Sequence, residues 1–161
     1  MPLVDCTEGS GAVSVAWTLE RSVPVVWEHL TSVPHLPEWL GHARSGGFSA
    51  GAALVVDHGD GYLCTSVVDT VDDGRRLGMS WEFPDEPPSR LSITLESADT
   101  QDGGERCQLR LQHSGLDELT SSYLPGWLTH LTYFECSLEA TPLPSQAFWR
   151  LYETHRRLLD R

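Results

Sequence analysis

Apolar and polar residues alternate over most of the first 113 positions, and the spacing then changes to that of a helix. In "AVSVAWTLER", Val13, Val15, Trp17 and Leu19 share one face, which predicts a half-buried strand. "SVPVVWEHLT" follows, with Pro24 suited to a first helical turn and Val26, Trp27 and Leu30 on one face. "VPHLPEWLG" predicts a second short helix set between prolines and stopped by Gly41. Strand patterns then dominate to residue 113: "RSGGFSA", "AALVVDHG", "YLCTSVVDTV", "RLGMSWEF", "RLSITLES" and "RCQLRLQH". The turns between them are rich in Gly, Asp and Pro, and short turns imply antiparallel hairpins. Leu77, Met79, Trp81 and Phe83, then Leu91, Ile93 and Leu95, make one dry sheet face that a second layer must cover.

The cover is predicted at the end of the chain. Ser122 is the expected cap of a helix with Pro125 in its first turn. Leu124, Trp127, Leu128, Leu131, Phe134 and Leu138 then recur at three- and four-residue spacing. A further amphipathic helix is expected over 145–160, capped by Ser145 and carrying Phe148, Leu151, Tyr152, His155, Leu158 and Leu159 on one face. A Glu153–Arg157 pair is expected one turn apart on it. It is expected to dock on its own domain, with a partner subunit, hence a homodimer, as the alternative. Residues 1–10 read as a frayed tail, 11–141 as the domain, and 142–161 as the appended helix. The fold class is α+β, a helix-grip arrangement. A curved antiparallel sheet of six to seven strands wraps a long C-terminal helix, with two short helices after the first strand.

Composition narrows the function classes. The 161 residues suit one domain, and 40% hydrophobic content supports a core. No apolar run approaches the ~20 residues of a membrane span. The N-terminus lacks the pattern of a secretory signal, so a soluble, cytoplasmic protein is expected. The net charge is −12, and all eleven basic residues are scattered Arg. Such a surface repels phosphate, which argues against nucleic acid and anionic membrane as partners. Without Lys, neither a Schiff-base nor a P-loop mechanism is available. Cys6, Cys64, Cys107 and Cys136 form no C-x-x-C pair and are expected as free, partly buried thiols.

Three segments carry a family resemblance. "VPVVWEHLTSVPHLPEWLG", with Trp27 in its first short helix and Trp39 closing the second, resembles the START-like, birch-pollen-allergen-like (SRPBCC) superfamily. "RRLGMSWEFPDE" and "LRLQHSGL…GWLTHLTYFECSL" resemble one branch of it, the heat-shock-protein-90 ATPase activator homologues of the C-terminal-domain type. The resemblance spans roughly residues 11–141. It implies the fold and a tendency to hold an apolar molecule between sheet and long helix. The founding activators carry a further N-terminal domain, so a chaperone partner is not carried over with the name.

Six residues are predicted to border one cavity: Trp39, Trp81, His113, Trp127, Leu131 and Phe134. Period-two alternation points Trp81 and His113 to the dry face. Helical spacing places Trp127, Leu131 and Phe134 on the covering face, and the resemblance puts the Trp39 helix at the open end. His113 reads as a hydrogen-bonded core residue, a ligand anchor or a base, and His130 as a second rim residue. The aromatics read as core or as pocket walls. "VDHGDGY" reads as a solvated turn, and His29, His35 and His42 match no metal motif. No catalytic residue, metal or cofactor is predicted. The expected function is binding of a small apolar or aromatic molecule. The alternatives are a cyclase or hydrolyase using the same cavity, or a chaperone-associated interaction module.

Overall fold

The computed structural model describes residues 2–98 and 100–161. Eight strands form one antiparallel sheet: β1 Leu3–Gly9, β2 Ala12–Leu19, β3 His42–Ser45, β4 Ala53–Asp57, β5 Leu63–Asp72, β6 Arg76–Trp81, β7 Ser89–Ala98 and β8 Arg106–Ser114. Their order is β1-β2-β8-β7-β6-β5-β4-β3. Short turns join neighbours from β3 to β8, and the pairing of β2 with β8 brings the two ends of the domain together. Val13 lies opposite His113 and Leu19 opposite Cys107. The helices α1 Val23–Leu30 and α2 Leu36–Trp39 fill the long step from β2 to β3. The long helix α3 is Thr120–Leu138, and α4 is Phe148–Leu159. The arrangement is the expected helix grip, with one strand more than expected.

The extra strand comes from the segment read as a tail. Residues 3–9 pair with β2, Cys6 opposite Val15 and Glu8 opposite Val13. Met1 lies outside the described residues. Leu3 and Cys6 are the half-buried side chains that hold β1 against the core. The other side chains of β1 face water, as suits an edge strand, so alternation was too weak to reveal it.

The dry face is packed as its pattern requires. Leu77, Met79, Trp81, Leu91, Ile93, Leu95, Leu109 and Leu111 are buried beneath Trp127, Leu131 and Phe134 of α3. The start of α3 differs from expectation. A single helical turn over Asp117–Leu119 runs straight into it, so Leu119 occupies the cap position and Ser122 lies inside, donating to the Leu119 carbonyl. Pro125 therefore sits in the helix body, where its missing N–H leaves the Ser121 carbonyl without its helical donor.

Helix α4 packs on α3 through Phe148 and Leu151. Tyr152 donates to the Ser122 carbonyl at 3.2 Å, and Tyr133 donates to the Pro144 carbonyl at 2.7 Å. Thr129 gives its hydroxyl proton to the Pro125 carbonyl, so it accepts from His155 Nδ1 at 3.1 Å. Ser145 opens a short turn rather than capping α4, whose cap position is Ala147. Arg156, not Arg157, pairs with Glu153. Leu158 and Leu159, expected on the docking face, are exposed. Among the described residues no helix is long and apolar enough to cross a membrane.

Candidate functional site

At the end of the sheet nearest α2, sheet and α3 part, and α4 closes part of the gap. The result is a cavity of about 480 Å³. One wall is α2 and its exit, with Glu38, Trp39 and Gly41. The β4–β5 turn contributes His58 and Tyr62, and the end of β6 contributes Trp81 and Phe83. The first half of α3 presents Tyr123, Trp127 and His130, and α4 adds Phe148, Trp149 and Tyr152.

Local sequence explains two of these walls. Gly41 is needed where α2 passes over β4, because a Cβ there would stand 2.5 Å from the Asp57 carbonyl oxygen. The β4–β5 turn is solvated at its tip, residues 59–62, as expected from "VDHGDGY", but not at its start. Asp57 is buried, and its Oδ1 accepts from the Gly59 and Gly61 amides at 2.8 and 3.2 Å. Its Oδ2 takes the Arg44 guanidinium at 2.5 Å. The Arg44 hydrogen bond, with that of the Gly59 amide, holds the Asp57 carboxyl below its ordinary range. This pinned turn turns the His58 ring inward, edge-on to Trp81 and Phe83 at 5.6 and 5.1 Å.

Three of the six predicted residues line the cavity: Trp39, Trp81 and Trp127. His113, Leu131 and Phe134 do not; all three are buried, Leu131 and Phe134 within the hydrophobic core cluster. Phe134 packs edge-on against Trp39 at 5.0 Å, one layer behind the wall. A second void, of about 20 Å³, lies deeper and shares Trp39, Leu40, His58, Trp81 and Trp127 with the cavity as a partition. Sequence reasoning missed His58, Tyr62, Phe83 and Tyr123. The signal for His58, Tyr62 and Phe83 lay in the two turns that frame the mouth, which carry aromatic residues beside Asp and Pro; Tyr123 lies one turn before Trp127 on α3.

His113 is held in a closed network. Trp127 Nε1–H donates to His113 Nδ1 at 3.0 Å. The other nitrogen, Nε2, must then carry the proton, and it lies 2.7 Å from Ser89 Oγ. Ser89 in turn donates to the Trp81 carbonyl at 3.2 Å. Every polar atom of the group has a partner, and burial pushes the His113 pKa down to about 3. His113 is thus a satisfied core residue, the plainest of its three readings.

The cavity residues present the opposite case. Trp39 is 6% exposed, yet among the described residues its indole Nε1–H has no hydrogen-bond partner; neither does His58 Nε2, and both atoms are shut off from solvent. Trp17, Trp81 and Trp127 all donate to protein acceptors. His130 Nδ1 lies 2.8 Å from the Trp39 carbonyl, which can only accept, so Nδ1 carries the proton and Nε2 the lone pair. Burial pushes the His58 pKa down to about 3, helped by His130, and that of His130 to about 4. Both imidazoles are neutral at pH 7, with ring centres 6.0 Å apart. They act as hydrogen-bonding groups rather than acids.

The rim is acidic but occupied. Tyr62 donates to Asp85 at 2.6 Å, and Tyr123 donates to Glu86. Glu38 accepts from Ser137 at 2.8 Å and pairs with His35 at 3.0 Å, so its pKa is lowered. Ser137 also takes the His29 Nε2 proton at 2.7 Å. This network ties α1 and α2 to α3. Among the described residues no group of three or more His, Cys, Asp or Glu is placed to hold a metal ion. Cys64, the thiol nearest the deep void, is buried, which raises its pKa to about 12.

Comparison with known proteins now decides the family. The model for "Activator of Hsp90 ATPase homolog 1-like protein" matches residues 20–133, more than half of the chain. The chain belongs to this family. Helix α4, with its share of the cavity wall, lies beyond the matched residues. No curated protein matches the chain. Among solved structures, CalU16 from Micromonospora echinospora superposes with a TM-score of 0.72 at 18% identity, over 91% of this chain and 84% of its own. DynU16, from the dynemicin biosynthetic locus, gives 0.72 at 25% identity, over 83% of this chain and 49% of its own. The Aha1 dimer from Colwellia psychrerythraea gives 0.64 at 16% identity, over 81% and 97%. These similarities place the activator-homologue fold among proteins with quite different names.

Proposed function

We propose that this protein binds a small, mainly apolar, ring-bearing molecule in the cavity between α2, the β4–β5 turn, α3 and α4. The observation that carries the reading is a volume of about 480 Å³ walled largely by aromatic rings, among them Trp39, Trp81, Trp127 and Phe148. Pockets for small molecules are of this size and composition. Energy supports it as well. At ~24 cal/mol per Å³, such a volume left dry and empty would cost up to ~11 kcal/mol. That rivals the ~5–15 kcal/mol stability of a whole domain. The space must therefore be filled, by water or by a ligand. Aromatic walls hold water poorly and flat rings well.

A homodimer is the second reading. It rests on Trp149 and Leu158, which are 70% and 56% exposed on α4, and on the dimeric state named for the Colwellia Aha1. Native mass spectrometry of the purified protein tests both readings. The first is supported by a co-purifying small molecule that is lost when Trp127 is replaced by Ala. It is overturned if the mass is that of the bare chain and no aromatic probe adds to it at millimolar concentration. A pure monomer at high concentration would remove the second.

A further inference from the structure

Where α1 and α2 meet α3, a cluster of titratable side chains ties the elements together. His29 of α1 stacks on His35, from the helical turn Val33–His35 that leads into α2, with ring centres 4.1 Å apart and planes inclined by 26°. Glu38 of α2 and Ser137 of α3 complete the group. Its protons can be placed one by one. Ionised Glu38 can only accept, so Ser137 gives it the hydroxyl proton at 2.8 Å and His35 gives it Nδ1–H at 3.0 Å. Ser137 then accepts from His29 Nε2–H at 2.7 Å. Each imidazole keeps one lone pair, on Nδ1 of His29 and Nε2 of His35, and each can take one proton more.

The two added protons are not equivalent. The first, on His35, faces the Glu38 carboxylate and makes an ion pair with it. The second, on His29, would stand one ring away from the first with no carboxylate of its own, and like charges that close repel strongly. Among the described residues the charged groups that act on His29 are His35 and Glu38; β7 and β8, which also pack on α1, and α3 add none. Burial, with His35, holds the His29 pKa below its ordinary value. The cluster is also continuous with the cavity wall. Glu38 lines the cavity, and Phe134 stands edge-on to both His29, at 5.5 Å, and Trp39, at 5.0 Å.

We infer that the His29–His35 stack is a proton-operated release for α2: one proton is held, and a second parts the rings, loosens α2 from α3 and opens that wall of the cavity. The release acts as pH falls below about 6.5, where imidazoles begin to charge. It does not depend on what the cavity binds.

The test needs no ligand. The Leu40 and Gly41 amides donate to the Leu36 carbonyl at 2.8 and 2.9 Å, so their hydrogen exchange reports the hold on α2. Protection is measured by NMR on the full chain from pH 7.5 to pH 5, relative to the core amides of β7 and β8, which corrects for any global loss of stability. In wild type the relative protection is expected to fall about tenfold. In His35→Gln, which keeps a donor for Glu38 but cannot charge, it should stay level. His35 is 44% exposed, so this variant keeps the fold. The same samples report the titration of His29, whose midpoint should rise by about one pH unit in the variant, once the competing charge is gone. Relative protection that stays level in wild type, or falls equally in both proteins, overturns the inference. So does a His29 midpoint that does not move. The binding function stands or falls separately, by the mass measurement above.

Discussion

His113 and Trp127 form one imidazole–indole pair in this protein, and His130 and Trp39 form another. In the first, the indole proton goes to the imidazole, the imidazole proton to Ser89, and the chain of donors ends on a backbone carbonyl. In the second, the imidazole proton goes to the backbone of Trp39, and the indole of the same residue has no protein partner. The residue types are the same and both pairs touch α3. What separates core from candidate site is whether the polar atoms are matched and whether space adjoins them. Both indoles line the cavity, but His113 is shut off behind Trp127 while His130 lines the cavity itself.

The filled region should answer mutation with stability, and the open region with binding. The largest effect is expected from Phe134→Ala. Phe134 is fully buried, and its truncation should cost ~3–5 kcal/mol in urea unfolding. A loss below ~1 kcal/mol would show that this end is not packed as described. Next comes deletion of residues 142–161. Phe148 and Leu151 leave the core with α4, so a loss of ~2–4 kcal/mol is expected, together with an opened cavity and weakened probe binding. A dimer that dissociates while the monomer keeps its stability would instead assign α4 to a subunit interface.

A smaller effect belongs to His113→Leu. It strands the Trp127 N–H, at a cost of ~1–3 kcal/mol. Affinity for acetylnaphthalene should not change, because His113 does not line the cavity. A tenfold loss of affinity with stability intact would restore His113 as a ligand anchor. The three buried imidazoles also set a pH dependence. Unfolded, they take up protons near pH 6.5. Folded, they do so near 3 for His58 and His113 and near 4 for His130. Between those limits the unfolded chain holds more protons, so stability is full above pH 6.5 and declines as pH falls through the window. His113→Leu should flatten that decline. A stability curve level from pH 7 to 4.5 would contradict the buried, neutral imidazoles.

Much of the fold was legible because period two and period 3.6 each leave a plain trace. Seven strands, the short helices and the stripe of α3 could be read from alternation, spacing and turn residues. Strand β1 could not, since an edge strand with mostly solvated side chains is specified by backbone pairing to β2. The site was half legible for a related reason. Helical spacing showed that Trp127, Leu131 and Phe134 share a face, but not how far along α3 the sheet stays closed. Trp127 falls at the opening, while Leu131 and Phe134 fall within the closed part. His58 was hidden because nothing local to "DHGDG" reveals that Asp57 folds under and fastens the turn. Trp39 was found through the family resemblance; that its N–H lacks a partner could come only from the three-dimensional structure.

The division between the two regions can be read in one spectrum. Six tryptophans are spread across the molecule: Trp39, Trp81, Trp127 and Trp149 line the cavity, while Trp17 and Trp27 do not. In protein labelled with fluorotryptophan, fluorine NMR reports each indole separately once single Trp→Phe variants assign the peaks. Titration with acetylnaphthalene should move the resonances of the four lining residues and leave Trp17 and Trp27 in place. Uniform small shifts across all six, or movement confined to Trp17 and Trp27, would contradict a binding site at this end of the fold.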